Sequence, residues 1–186
     1  MTDAFRDAYC DEPPAPVVAR AAGIRLLALD VDGVLTDGSV FTGAEGETLK
    51  RFHIHDGKGI AMLRAAGVGV AVLTARRSPA VRRRAGELGI DPVCQGVRDK
   101  AATLAGIAAD RGLEMTACAW VGDDLVDLAA ARLAGLAVAV ADAHPRLARA
   151  CHWQTARAGG RGAVREVCEL ILAAQGRLQP SLDAHG

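Results

Sequence analysis

The stretch Leu26–Gly38, "LLALDVDGVLTDG", runs from an apolar segment straight into acid. Leu26 to Leu29 are aliphatic without alternation, the pattern of a short strand buried on both faces. Asp30, Asp32 and Asp37 then follow within eight residues, and glycine follows the last two. Carboxylates gathered at the tip of a buried strand repel one another unless something positive joins them. A strand covered on both sides belongs inside a parallel sheet, and ligand sites form at the carboxyl edge of such sheets. The stretch therefore suggests a fold class and a place to look for chemistry.

Further apolar runs repeat the pattern: "VGVAVLT" from Val68, "ACAWVGD" from Ala117, "LAVAVAD" from Leu136 and a weaker "IDPVCQG" from Ile90. Helical stretches lie between them, over Lys58–Ala66, Pro79–Leu88, Lys100–Arg111, Leu125–Ala134 and Pro145–Ala150. This alternation predicts an α/β fold, a Rossmann-like three-layer arrangement around a parallel sheet. One segment breaks the rhythm. "SVFTGAEGETLKRFHI" has β-favouring residues on both sides of a Gly-containing turn, which predicts a small β-hairpin flap over residues 38–55, after the first strand. Near the C-terminus, "AGGRGAVREVCELILAAQG" has a glycine-rich lead-in. Val164, Val167, Cys168 and Ile171 then fall on one helical face. The expected organisation is a single domain over residues 17–176, closing with a Gly-rich loop and helix at 158–176. A flexible arm, 1–16, precedes it and a flexible tail, 177–186, follows.

Composition narrows the function. The 186 residues are 51% hydrophobic but 3% aromatic, so Ala, Val, Leu and Ile must build the core. Lys+Arg and Asp+Glu balance at 22 each, which lacks the positive field of a nucleic-acid binder. The cysteines, Cys10, Cys94, Cys118, Cys151 and Cys168, show no C-x-x-C spacing and read as reduced thiols. Neither a signal peptide nor an apolar run long enough to span a membrane is visible. A cytoplasmic, soluble protein is expected.

The polar residues at strand ends converge. Asp30 ends the first strand, Thr74 the second; Lys100 opens the helix after "IDPVCQG", and Asp123 and Asp124 close "ACAWVG". Taken singly, each has a structural reading: acids cap helices, and lysines are usually solvated. Together they suit phosphoryl transfer. A carboxylate can attack phosphorus, a second can move protons, a hydroxyl and an ammonium can hold phosphoryl oxygens, and Mg²⁺ takes oxygen ligands.

"DVDGVLTDG", "LTARRS", Asp99-Lys100 and "VGDDLVD" resemble the four motifs of the haloacid-dehalogenase superfamily. "FHIHDGKGI", "VADAHP" and "GGRGAVREVCELIL" are similar to its capless sugar-acid phosphatases, those acting on 3-deoxy-D-manno-octulosonate 8-phosphate in lipopolysaccharide sugar biosynthesis. The resemblance, which runs from about Ile24 to about Gln175, implies roles by position. Asp30 is the nucleophile and a metal ligand. Asp32 is the acid and base, and its backbone carbonyl meets Mg²⁺; Asp123 is the other metal ligand. Thr74 and Lys100 hold the phosphoryl group, with Asp124 and Asp127 supporting the metal shell. Arg76 and Arg84 match positions that contact the sugar-acid phosphate, and Arg165 with the glycine motif reaches towards an active site. Arg77, Arg82 and Arg83 match none and read as a solvated helix face. His53, His55, Asp56 and Gly57 are placed at the substrate mouth, and a homotetramer with hairpins at its centre is implied. The chain departs from the pattern at Ala75, where relatives carry Gly, and at His53 and His55.

Two rival functions remain at this point. A phosphate-accepting receiver domain also uses strand-end Asp, Thr and Lys, but would not need Asp32 and would want an acidic pair on an earlier strand. A phosphatase for a nine-carbon sugar acid 9-phosphate, of neuraminate type, would share the whole site. A phosphomutase would need a larger cap than this hairpin.

Overall fold

A computed structural model of the chain describes Phe5, residues 13–44 and residues 46–184, apart from the side chains of residues 47 and 48. The strands are β1 (Leu26–Leu29), β2 (Phe41–Gly43), β3 (Gly46–Leu49), β4 (Gly69–Thr74), β5 (Val93–Gln95), β6 (Cys118–Gly122), β7 (Leu136–Ala139) and β8 (Trp153–Gln154). The helices are α1 (Ala15–Ala22), α2 (Ile54–Ala65), α3 (Pro79–Glu87), α4 (Lys100–Asp110), α5 (Leu128–Leu133), α6 (Pro145–Ala148), α7 (Ala163–Ala174) and α8 (Leu178–Asp183). Six strands form one sheet in the order β5-β4-β1-β6-β7-β8, and every pairing in it is parallel. From β1 the sheet grows first through β4 and β5, then on the other side through β6, β7 and β8. The switch of direction falls at β1, so the ends of β4, β1 and β6 open a crevice at the carboxyl edge.

All four residues of β1 are fully buried, as the unbroken apolar run requires. Each leucine so buried contributes about 1.5–3 kcal/mol. α7 packs on α1 and α2, and α4 packs on α5, which gives the sheet its helical layers. The predicted face of α7 is wholly buried at Val164, Val167, Cys168 and Ile171. β2 and β3 form a separate antiparallel hairpin.

The structure corrects several boundaries. The second extended run of the flap ends at Leu49. His53 and His55 are not on a strand, because α2 already starts at Ile54 with His53 as its N-cap. The early start places Asp56 in the first turn, where an acid is favourable. The stretch expected as one helix from Leu125 is divided into a 3-10 turn, Leu125–Asp127, and α5. In place of a flexible tail, residues 178–183 form α8, because Leu178 is buried in the core and Leu182 packs against it. Most of the expected N-terminal arm, Cys10 included, lies outside the described residues; of the rest, Phe5 is fully buried and α1 opens at Ala15. Cys94, Cys118, Cys151 and Cys168 are free thiols. Among the described residues, no helix is long and apolar enough to cross a membrane.

Candidate active site

β1 ends one residue before Asp30, whose backbone N–H donates to Val121 O at 3.1 Å and so extends the ladder to β6. Lys100 is the first residue of α4, which starts there because the Asp99 carboxylate caps Ala102 N at 2.9 Å. The Lys100 ammonium, 5% exposed, lies 3.0 Å from Asp30 Oδ1 and 2.7 Å from Asp127 Oδ1. It also stands 5.6 Å from the centre of the Trp120 ring. The other oxygen of Asp127 accepts from the backbone N–H groups of Asp123 at 2.9 Å and Asp124 at 3.3 Å. Asp127 is fully buried and joins the loop after β6 to Lys100. Thr74 is buried at the end of β4, and its hydroxyl accepts from Arg76 N at 3.3 Å.

Gly33 makes this assembly possible. It has φ +85°, and a Cβ there would lie 2.1 Å from Asp123 Oδ2. Two more close approaches explain the C-terminal glycines. A Cβ on Gly159 would fall 1.6 Å from Gly33 O, and one on Gly160 would fall 2.4 Å from the carbonyl carbon of Thr36. Gly160 N donates to Val34 O at 2.8 Å. The glycine loop thus packs on the Asp30–Asp37 loop of its own chain.

Electrostatics set the site apart. Burial raises the Asp30 pKa to about 6; Lys100 opposes the rise and Asp127 adds to it. Burial also lifts Asp123 to about 7, helped by the charges of Asp30, Asp127 and Asp124. Burial alone would lower the Lys100 pKa, but Asp30 and Asp127 outweigh it and hold the value above normal. Asp30, Asp123 and Asp127 each present a carboxylate oxygen within 4.8 Å of the others. Three acids against one ammonium leave negative charge in excess, and an all-oxygen set of this kind fits a hard divalent cation.

The remaining predicted residues divide. Arg76 Nε stands 4.0 Å from Asp32 Oδ2, inside the site. Asp124 is exposed and caps the 3-10 turn through Leu125 N at 2.7 Å, so its carboxylate is not among the grouped metal-binding oxygens. Asp56 is buried and its carboxylate accepts from Arg165 N at 2.8 Å and Gly162 N at 3.3 Å, capping α7, and it also lines the pocket that His53, Gly57 and Arg84 share. Arg165 lies along Gly59 and pairs with Glu169 at 2.5 Å. Arg161 of the same segment reaches the Asp30–Asp37 loop, 3.5 Å from Asp37 Oδ2. His53 and Arg84 line a narrow, mostly apolar pocket with Leu35, Phe52 and Val81 at the flap root; Gly57 lets Arg84 lie against α2. The His53 and His55 rings meet edge to face at 5.0 Å, and neither belongs to the carboxylate group. Arg77, Arg82 and Arg83 are exposed, as expected of a solvated face.

Lys50 escaped the sequence reading. Its ammonium is paired with Asp32 Oδ1, and the adjacent Arg51 is paired with Asp37 Oδ2. The one signal available was a pair of cations at the end of the hairpin.

Known proteins share the chain's sequence pattern and fold. The pattern of the haloacid dehalogenase-like hydrolase family matches residues 89–166. A 3-deoxy-D-manno-octulosonate 8-phosphate phosphatase, KdsC, of Yersinia pestis is 46% identical over 92% of this chain and 94% of its own length. The chain belongs to the haloacid dehalogenase-like hydrolases. The E. coli K12 phosphatase of the same name is 46% identical over 88% of this chain and 87% of its own. Among solved structures, the Moraxella catarrhalis phosphatase superposes with a TM-score of 0.89 at 40% identity, covering 91% of this chain and 98% of the other. That crystal contains a magnesium ion, a phosphate ion and a KDO molecule. A cobalt-bound Haemophilus influenzae phosphatase gives a TM-score of 0.84 at 41% identity, with 86% and 93% coverage.

Proposed function

We propose that the protein is a Mg²⁺-dependent phosphatase that converts 3-deoxy-D-manno-octulosonate 8-phosphate to the free sugar acid and phosphate. The observation that carries the chemistry is the buried Asp30–Lys100–Asp127 array at the switch point, with Asp32 two residues from Asp30. The substrate is supported by similarity to octulosonate phosphatases over about nine-tenths of the chain.

In the reaction, a carboxylate oxygen of Asp30 forms a bond to phosphorus. The bond from phosphorus to the sugar oxygen breaks, and its electron pair goes to that oxygen, which takes a proton from Asp32. Asp32, now a carboxylate, removes a proton from water as the water oxygen attacks phosphorus. The phosphorus–Asp30 bond breaks and its electron pair returns to the Asp30 carboxylate. Lys100 keeps Asp30 oriented and, with the Thr74 hydroxyl, offsets charge on the phosphoryl oxygens. Arg76, at the exposed edge, suits the substrate's carboxylate or phosphate. Mg²⁺ held by Asp30, Asp123 and the Asp32 carbonyl would shield the anionic nucleophile from the anionic phosphate.

The assembly belongs to the same proposal. Val40, Phe41, Leu49 and Ile54 are exposed on and beside the hairpin, and Leu125 and Val126 are exposed next to Asp123 and Asp124. Such surfaces suit partner subunits, in a cytoplasmic homotetramer whose hairpins restrict neighbouring sites.

The test is phosphate release from eight-carbon and nine-carbon sugar acid phosphates, with and without Mg²⁺. The octulosonate ester should give the highest kcat/KM, and chelation should remove activity. Preference for a nine-carbon ester would move the substrate within the class. Stable phosphorylation without turnover would favour the receiver reading.

A further inference from the structure

We infer that Lys50, at the return end of the flap, is a positioning residue for Asp32, which makes the setting of the acid–base carboxyl depend on the seating of the hairpin. The inference rests on the proton-transfer role proposed for Asp32.

Lys50 directly follows β3, so its backbone belongs to the root of the hairpin. Its side chain is only 1% exposed, and its ammonium pairs with Asp32 Oδ1. Lysine is rarely buried to this degree without a partner, since removing an ammonium from water is costly. Fold stability alone gives little reason to keep such a pair, because well-packed apolar residues often do as well. A reason appears at the other end of the bond. Asp32 follows the strand end and belongs to no helix or strand that would restrain it. Its two oxygens have different surroundings. Oδ1 is engaged by Lys50, whereas Oδ2 is buried, accepts no hydrogen bond among the described residues and has the exposed Arg76 side chain over it, with Nε 4.0 Å away. Holding Oδ1 fixes the rotation of the carboxyl group and leaves Oδ2 to exchange the proton with the sugar oxygen and then with water.

The neighbouring residue repeats the contact one step along. Arg51 pairs with Asp37, and Arg161 of the glycine loop reaches the same carboxylate at 3.5 Å. Successive cations of the flap root thus grip two acids of the Asp30–Asp37 loop. Arg51 is largely exposed and fastens the outside of the loop, while Lys50 enters it. A hairpin displaced from this seat would take the ammonium from Asp32.

The experiment compares leaving groups in the holoenzyme. A sugar alkoxide needs a proton to leave, whereas p-nitrophenolate does not, and kcat/KM reports the step in which each departs. Lys50→Met retains the apolar stem without the ammonium. Its kcat/KM for octulosonate 8-phosphate should fall about 10²-fold, and that for p-nitrophenyl phosphate by less than about threefold. Lys50→Arg, which restores a cationic donor, should recover at least about tenfold of the loss, and it carries the test if Lys50→Met fails to fold. Asp32→Asn is measured alongside and should show the same selectivity for leaving group. If Asp32→Asn slows both substrates equally, the acid–base reading of Asp32 fails. If it is selective while Lys50→Met slows both equally with a raised KM, Lys50 binds substrate and the positioning role is overturned. Unchanged rates in Lys50→Met overturn it as well.

Discussion

The floor of the site and the hairpin rooted beside it each place residues against their ordinary preference, in opposite directions. On the floor, Asp30, Lys100 and Asp127 are charged and buried. On the hairpin and its root, Phe41, Leu49 and Ile54 are apolar and 41%, 50% and 76% exposed. The floor offsets its desolvation cost within one chain, because each charge meets an opposite one within 3.0 Å. The hairpin instead leaves apolar surface open to solvent, the kind of surface that suits the partner subunits proposed above. The contrast teaches that the charged array is complete within the single chain, whereas the tetramer proposed above would act on access to it.

The strongest way to break this comparison is at Asp30, the nucleophile proposed above. Asp30→Asn preserves shape but cannot form the phosphoryl ester, and turnover should fall by about 10⁴–10⁶-fold. The thermal melt should remain cooperative, since the substitution removes a charge that burial disfavours. Phosphate release approaching the wild-type rate would refute the floor as the reacting centre.

Asp123 sharpens the electrostatic half of the argument. Asp30 titrates at about 6 and Asp123 at about 7 in the folded chain. Both lie above an ordinary unfolded carboxylate near ~4. Between these values the folded metal-free chain retains protons that the unfolded chain has released, so its stability falls as pH rises through that window. Melting in chelator should therefore show a Tm contribution from these acids that is present at pH 4 and lost by pH 7.5. Mg²⁺ at pH 7.5 should restore it, because the cation favours the ionised pair. Asp123→Asn should flatten the slope, remove the Mg²⁺ response and lower activity by about 10²-fold.

How much of this was legible varied with how locally it was encoded. The unbroken run Leu26–Leu29 marked a strand buried on both faces, and the acids, Thr74 and Lys100 stood at predictable strand ends. Lys50 was not legible, because its partner lies 18 residues away and the contact depends on how the hairpin folds back. Asp56 was read only in part for a related reason. A polar residue near a substrate motif reads as a contact, and its capping bonds to Gly162 and Arg165 could not be read, because those residues are more than 100 residues away in sequence. Helix α8 was missed because its 6 residues carry little periodicity, and tertiary burial of Leu178 holds it in place.

That long-range cap yields a smaller effect. Asp56→Ala leaves the buried N–H of Gly162 and the partly buried N–H of Arg165 without their acceptor, at a cost of about 1–3 kcal/mol. Denaturant melts should show that loss. A substrate contact would instead raise KM and leave the melt unchanged, which would return Asp56 to the mouth of the site.

The hairpin gives the smallest change in the single chain and the clearest difference from the floor. Phe41→Ser with Leu49→Ser alters exposed positions, so the subunit's own stability should move by no more than about 0.5 kcal/mol per site. If partner subunits cover these side chains, the pair of substitutions should weaken each interface by about 1–2 kcal/mol per side chain, and the mass by light scattering should fall towards that of one chain on dilution. Turnover of the sugar ester should fall with that mass, whereas phosphate release per folded chain from a small aryl phosphate should persist, because the floor is complete without neighbours. A wild-type protein already at the mass of one chain, with full turnover, would break the comparison: the exposed hairpin would then be a surface without a partner, and closing the site would rest on Lys50 and Arg51 alone.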